Sequence, residues 1–359
     1  NHTRFNIFGL YSGIKNHLIR LGVGYHYSDI YKVIERRNFG LNPHTEEEIS
    51  PVGKLVDVSD TTEVFLPEGD RKNWHLFIQD TWQFAEKWEL TSGLRYDNYS
   101  DFGSTLNPRL SLIWETTPFL TTKLLYGQAF RAPAFSELYT VNNPTAQGNP
   151  NLEPETNETW ELAFSYEPTE ALYLGLNLFT YKWRDAILVE PDPNATADNP
   201  HAGTLQNAGS QSGHGVELET HWRITSKLSI LGNYAFQKSI DTDNNDVDAG
   251  NAPHHQAYLR VDWQFKPQWY LNTQLHWLSE RKRVTGDPRP ALDGYSLVDL
   301  TLRHEGFKDH WDFALGIRNL FDEEAFEPSP GPDSDGIIGI PYDLPLADRN
   351  YFAEVRYHF

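Results

Sequence analysis

The side chains best equipped to recognise a charged ligand stand where extended runs give way to loops. They are Arg131 in Phe130-Arg131-Ala132-Pro133, then Tyr139, Trp183, Arg184, and Arg281 and Arg283 of the basic triplet Arg281-Lys282-Arg283. A guanidinium offers a rigid fork of N–H donors that matches a carboxylate or phosphate, and Tyr and Trp add a flat apolar face with a polar edge. Capture of an anionic ligand is one chemistry open to this set. The other is structural: rim arginines that anchor chain, and aromatic and basic residues that lie against lipid headgroups. The residue types alone suit both.

Other chemistries lack their residues. The acidic run Asp241, Asp243, Asp246, Asp248 invites a calcium reading, but an EF-hand loop needs Gly at its sixth position and Glu at its twelfth. Counted from Asp241, those places hold Asp246 and Ala252, which reads as a solvated loop. His254 and His255 are adjacent, so on a strand they point to opposite faces and do not chelate one ion together. The histidines show no metal-ligand spacing, so no metal site and no cofactor is expected. No nucleophile elbow, P-loop or metalloprotease motif occurs, so an enzyme has little support. With 50 Asp plus Glu against 30 Lys plus Arg, a nucleic-acid partner has no electrostatic basis. Cysteine is absent, which rules out disulfides and thiolate metal sites.

The elements that carry these residues alternate with a period of two. Trp160, Leu162, Phe164 and Tyr166 oppose Thr159, Glu161, Ala163, Ser165 and Glu167, so one face of that strand meets something oily and the other meets water. The same alternation predicts strands over 4–11, 17–27, 74–84, 88–96, 107–115, 228–236, 257–265, 269–277, 295–303 and 311–321. Asp80 breaks the oily row of the third. Between Leu172 and Trp183 the apolar set passes from Leu172, Leu174, Leu176 and Leu178 to Tyr181 and Trp183, a change of parity that predicts a bulge. Irregular polar stretches over 29–72, 190–203, 241–250, 280–294 and 322–348 read as surface loops. The count is about fifteen strands whose connections alternate short and mostly long. The mean hydropathy of -0.58 does not argue against a membrane wall, because only every second strand residue of such a wall touches lipid. No run of about 20 apolar residues is present for a transmembrane helix.

The order of five segments carries a resemblance. They are NPRLSLIWE (Asn107 to Glu115), FRAPAFSELY (Phe130 to Tyr139), NPNLEPE (Asn149 to Glu155), NAGSQSGHGVELE (Asn207 to Glu219) and NLFD (Asn319 to Asp322). This series resembles the barrel domain of TonB-dependent outer-membrane receptors, and the likeness runs the length of the chain. It implies an all-β, antiparallel transmembrane barrel of about 22 strands around a plug. Residues 1–359 would then be the barrel domain only, with the plug and several N-terminal strands lying elsewhere. An open sheet would leave unpaired edges in lipid, so the chain is expected to work as part of a larger receptor.

The implied function is uptake of a ferric siderophore or similar chelate across the outer membrane of a Gram-negative bacterium, with a TonB complex acting through the plug. Outer-membrane lipid and the barrel assembly machinery are the other implied partners. The last strand, with Tyr351, Tyr357 and Phe359 on one face, would carry the assembly signal. Haem receptors of this superfamily place a ligating His between the FRAP and NPNL boxes, and the interval AFSELYTVNNPTAQG has none. A vitamin B12 or haem receptor, a passive pore and a soluble all-β protein are the rival readings. Abundant outward Leu, Trp and Tyr speak against the soluble one.

Overall fold

Period-two alternation leaves each strand one apolar and one polar face, and antiparallel pairing between neighbours brings like faces together. The computed structural model describes residues 1–359 apart from 46, 51–52, 144–145, 192–202 and 333–335. The loop expected over 190–203 therefore lies mostly outside the described residues. Fifteen long strands follow one another: β1 His2–Tyr11, β2 His17–Ile30, β3 Gly69–Ala85, β4 Trp88–Tyr99, β5 Gly103–Thr117, β6 Leu120–Arg131, β7 Glu155–Thr169 and β8 Leu172–Glu190, then β9 Thr204–Thr225, β10 Leu228–Asp241, β11 His255–Lys266, β12 Trp269–Leu278, β13 Tyr295–Phe307, β14 Trp311–Arg318 and β15 Asn350–Tyr357. In one sheet each is hydrogen-bonded to its neighbours in sequence, and a two-residue strand, Val247–Asp248, adds to β10. The expected class and strand number are met. The one helix among the described residues, Phe135–Tyr139, is a single short turn, and no helix is long and apolar enough to cross a membrane.

The chain divides into two compact units. One comprises Asn1–Ser111, Tyr126–Glu158 and Lys182–Ser210; the other comprises Leu112–Leu125, Thr159–Tyr181 and Gln211–Phe359. In the first unit the register of β1 to β4 sets Ile7, Val23, Leu76 and Tyr96 in one row and Phe5, Tyr25 and Trp74 in the next. The other face carries the rows Arg4, His26, Asn73, Tyr99 and Asn6, Gly24, His75, Asp97. In the second unit Ile230, Val261, Thr273, Leu300 and Ile317 share the apolar face, with Arg260, Gln274 and Asp299 opposite. The apolar faces are not covered by protein: Ile7 is 56% exposed and Trp263 48%. Contiguous apolar rows of this size call for an apolar surrounding medium.

Three local expectations are refined. Asp80 does lie on the apolar face, but it is paired: the His17 Nδ1 is 2.7 Å from its Oδ2, and the His17 ring stacks at 5.3 Å on Trp82. A polar pair against an indole suits the end of an apolar band, where the environment turns wet. The parity change predicted before Tyr181 does not occur. Asn177 donates to Glu217 at 3.2 Å, and side chains built at Gly215 and Gly213 would collide with Phe179 and Tyr181, so the polar-face register runs unbroken from Asn177 to Tyr181. The aromatics there belong to the polar face, and the irregularity sits at Asp185, whose φ is 59°. The strand expected to reach Phe321 ends at Arg318, because Asn319 and Asp322 take left-handed φ values of 50° and 59° and turn the chain.

Candidate functional site

Short turns of two to five residues follow the odd-numbered strands, and every connection after an even-numbered strand is long except 100–102. In the first unit those loops are built around Arg131, the last residue of β6. Its Nε and Nη2 donate to Glu155 at 2.8 and 2.6 Å, and its Nη1 and Nη2 donate to Glu137 at 2.9 and 3.0 Å. Glu137 also caps the short helix by accepting the Ala134 N–H at 2.7 Å. Buried Glu155 accepts the Ile187 N–H at 2.9 Å, and the Trp183 side chain lies beside it. The FRAPAFSELY and NPNLEPE segments are thus two halves of one clasp. Asn207, from the Asn- and Gly-rich segment, ties into it by donating to the Glu153 and Asp185 carbonyls, both at 2.8 Å.

Two neighbours complete this cluster. Arg184 reaches Glu158 only at 3.4 Å and is half-exposed. Tyr139 packs against Phe135, ring centroids 5.9 Å apart, at the end of the helix. Arg131, Tyr139, Trp183 and Arg184, taken from separate parts of the sequence, therefore belong to one unit and one end of its strands. Sequence reading passed over Arg71. It donates to Asp101 at 2.6 Å and to the Pro133 carbonyl at 2.8 Å, with its guanidinium 4.8 Å from the centre of the Phe135 ring. A paired cation stacked on an aromatic fixes the entry into the FRAP loop. The loop over 31–68 is fastened to the same cluster, with Asn142 Nδ2 donating to the Thr62 carbonyl at 2.6 Å.

In the second unit the basic triplet is a second staple. Arg281, 2% exposed, donates to Glu327 at 2.6 Å and lies over the Tyr295 ring, while Arg283 makes a bidentate pair with Asp343 at 2.7 and 2.6 Å. Arg289, also missed from sequence, holds Asp287 at 2.6 Å and reaches the Ser329 hydroxyl and the Pro330 carbonyl. Together these draw the 279–294 loop onto the 319–349 loop. On the adjoining loop His254 Nε2 lies 2.5 Å from Asp248, whereas His255 Nδ1 lies 2.7 Å from the Tyr234 hydroxyl, so the two imidazoles serve different partners. Asp241, first of the acidic run, accepts the backbone N–H groups of Asp243 and Asn244 and so folds its own turn.

These pairs set an acid sensitivity. Hydrogen bonds from Arg289 bring the Asp287 carboxyl down to about 2, and the Arg283 fork holds Asp343 below its ordinary value. A carboxylate lowered on folding adds stability that is complete above its unfolded value and disappears as pH falls through its folded one. Hydrogen exchange in 279–294, 326–332 and 336–345, corrected for intrinsic rates, should be level from neutral pH down to about 4 and rise between about 4 and 2. A rise already complete at pH 5 would show that other groups hold these loops.

Comparison with known proteins places the architecture. The chain is 24% identical over 281 residues to an iron-regulated outer membrane virulence protein of Vibrio cholerae, covering 73% of this chain and 43% of that protein. It is 26% identical over 349 residues to the vitamin B12 transporter BtuB of Vibrio cholerae, covering 93% and 51%. The chain spans about half the length of these curated relatives. Among solved structures, the ferric enterobactin receptor PfeA of Pseudomonas aeruginosa superposes with a TM-score of 0.75 at 19% identity, over 100% of this chain and 53% of that one. At that identity the likeness establishes the fold. The model of the TonB dependent receptor-like β-barrel matches residues 3–320, and the chain belongs to that family of receptors, which are not enzymes.

Proposed function

We propose that this chain forms the wall and ligand-facing rim of a Gram-negative outer-membrane receptor that captures a scarce metal chelate of the ferric-siderophore kind. Import would be driven through a TonB complex, with binding and gating and no covalent step. Residues 1–359 would be one barrel domain, completed by a plug and further strands of the full-length receptor. The observation that carries the reading is the clasped rim: Arg131 at the end of β6, and Arg283 in the loop after β12, each tie long loops together beside strands with one apolar face. Ordered loops lower the cost of capturing a ligand. Within this reading Arg131, Trp183, Arg281 and Arg283 set the loops, and Tyr139 and half-exposed Arg184 are the groups best able to turn toward an anionic chelate.

Growth rescue of a receptor-deleted strain by the full-length protein, with iron chelates, vitamin B12 and haem offered separately, tests the reading. Rescue by an iron chelate that disappears without TonB is expected. Rescue by vitamin B12 alone would favour the second reading, which the 93% coverage by a B12 transporter keeps in view. Equal rescue without TonB would point to a passive pore.

The final strand supplies a separate expectation. Tyr357 packs at 4.7 Å on Trp311, and the Phe359 ring meets Tyr357 edge-on at 5.1 Å. Phe359→Ala should lower the heat-modifiable receptor recovered from outer membranes while leaving the ligand affinity of assembled molecules unchanged. Normal recovery would remove the assembly role proposed for Tyr351, Tyr357 and Phe359.

A further inference from the structure

On the apolar face of the first unit a carboxylate stands in a row of its own. Ladder pairing sets Tyr11, Ile19, Asp80 and Ser92 side by side across β1 to β4, next to the row Gly9, Leu21, Ile78 and Leu94. Strands preceding β1 would join at its free edge, two strands away from β3, and a plug would lie against the opposite, polar face. Neither would cover Asp80.

The Asp80 side chain is 29% exposed, and protein meets its charge only in part. The His17 Nδ1 lies 2.7 Å from Oδ2, Oδ1 has no partner, and among the described contacts no Lys or Arg pairs with this carboxylate. The His17 ring is held by stacking on Trp82, the two planes 10° apart. Its level in a membrane follows from β2. His17 comes directly after the turn that carries Lys15, a charge that belongs with headgroups and water, and the outward apolar row runs on to Tyr27. That length of strand, at a rise of about 3.3 Å per residue and the usual tilt, spans an apolar band about 25 Å tall. His17 and Asp80 therefore stand where acyl chains give way to headgroups.

Further into the band the same four strands form a shallow groove of about 500 Å³, lined by Ile7, Gly9, Leu21, Leu76, Ile78 and Leu94 among others and by no charged residue. Gly9 keeps it open, since a methyl group there would meet nothing within 4 Å. We propose that groove and carboxylate together bind one phospholipid with a primary ammonium headgroup, the ammonium on Asp80 and an acyl chain in the groove. An ammonium answers the carboxylate's charge and also donates N–H groups to it. A quaternary choline headgroup has no N–H to donate, and a glycerol headgroup leaves the phosphate charge to repel Asp80. The assignment rests on the outer-membrane reading above and not on the cargo.

Native mass spectrometry of the full-length receptor in detergent, titrated with phosphatidylethanolamine, phosphatidylcholine or phosphatidylglycerol of the same chains, reads this site. Growth rescue reads the receptor role, so either can fail without the other. The wild type should take up one phosphatidylethanolamine at least about five-fold more tightly than either other lipid, because a charge-assisted hydrogen bond is at stake. Asp80→Asn keeps the shape and removes the charge, and should bring phosphatidylethanolamine down to the level of phosphatidylcholine. Gly9→Leu fills the groove and should weaken all three lipids alike. Heat-modifiability shows that each variant is folded, and the comparison of lipids on the wild type needs no variant. Equal binding of the three lipids by the wild type, tighter binding of phosphatidylglycerol, or an unchanged preference in folded Asp80→Asn would overturn the ammonium site. Unchanged binding by folded Gly9→Leu would overturn the groove as the seat of the chain.

Discussion

Replacing Leu176 by Arg in the full-length receptor is expected to remove most of the folded protein, while Arg at Ser165 leaves it near wild-type yield. The two positions lie on neighbouring strands of the second unit but on opposite faces. Asn177 donates to Glu161 at 3.1 Å and to Glu217 at 3.2 Å, so the odd-numbered residues of β7 and β8 around them share the polar face and Leu176 points the other way. Leu176 is five residues beyond the turn at Glu170 and Ala171, which at a rise of about 3.3 Å per residue and the usual strand tilt sets it near the middle of an apolar band about 25 Å tall. Arginine at the midplane of such a wall costs about 2–4 kcal/mol, a large share of ordinary folding stability. Leu162→Arg should behave alike, and Ala163→Arg like Ser165→Arg. The measurement is the fraction of receptor that shifts on gels between unheated and boiled samples. Equal losses on the two faces would mean that the apolar rows do not meet lipid.

Removing the Glu155 carboxylate should open the rim of the first unit without unfolding the wall. Buried Glu155 takes two donors from Arg131 and the Ile187 N–H, and Glu155→Ala strands all of them. Arg131 is 45% exposed, so water replaces part of what it loses, and the discounted cost is about 2–3 kcal/mol. Exchange of amides in 132–143, 146–154 and 183–190 should then quicken by roughly 30- to 150-fold, with the paired amides of β2 to β4 unchanged. Under the proposed function, chelate capture should weaken along with these loops. If exchange at these positions stays at wild-type rates, the clasp is an ion pair of no energetic consequence and the loops are held by something else.

Much of the wall was legible because its signal is local: each strand states its own faces through alternation, and a turn of a few residues fixes the next register. The exceptions are instructive. Asp80 reads as a defect until His17, 63 residues earlier, is seen beside it. Tyr181 and Trp183 read as a change of face because aromatics are counted as apolar, although Tyr181 hydrogen-bonds Ser239 from the polar side and the Trp183 side chain lies beside Glu155. The rim was legible only in part. Arg131 could be nominated from its place at a strand end, yet its partners lie 6 and 24 residues on, and the partner of Arg283 lies 60 residues away. Sequence spacing names the arginines and leaves their carboxylates unassigned. Arg71 and Arg289 stood among ordinary loop charges, and only packing distinguishes them.

Among the described residues the long strands pair only with their neighbours in sequence, which makes this sheet a one-dimensional chain of interfaces. In such a chain each hairpin answers to the two beside it, stability adds up roughly interface by interface, and damage spreads along the line rather than through a shared core. Short turns keep most pairings close in sequence, so closing each costs little loop entropy and a growing edge can take the next strand as it arrives. Pulled from one end, the wall should come apart as a succession of small steps, one hairpin at a time. The clasped loops are the places where that succession should pause, because Arg131 with Glu155, and Arg283 with Asp343, tie together segments that the ladder alone leaves free.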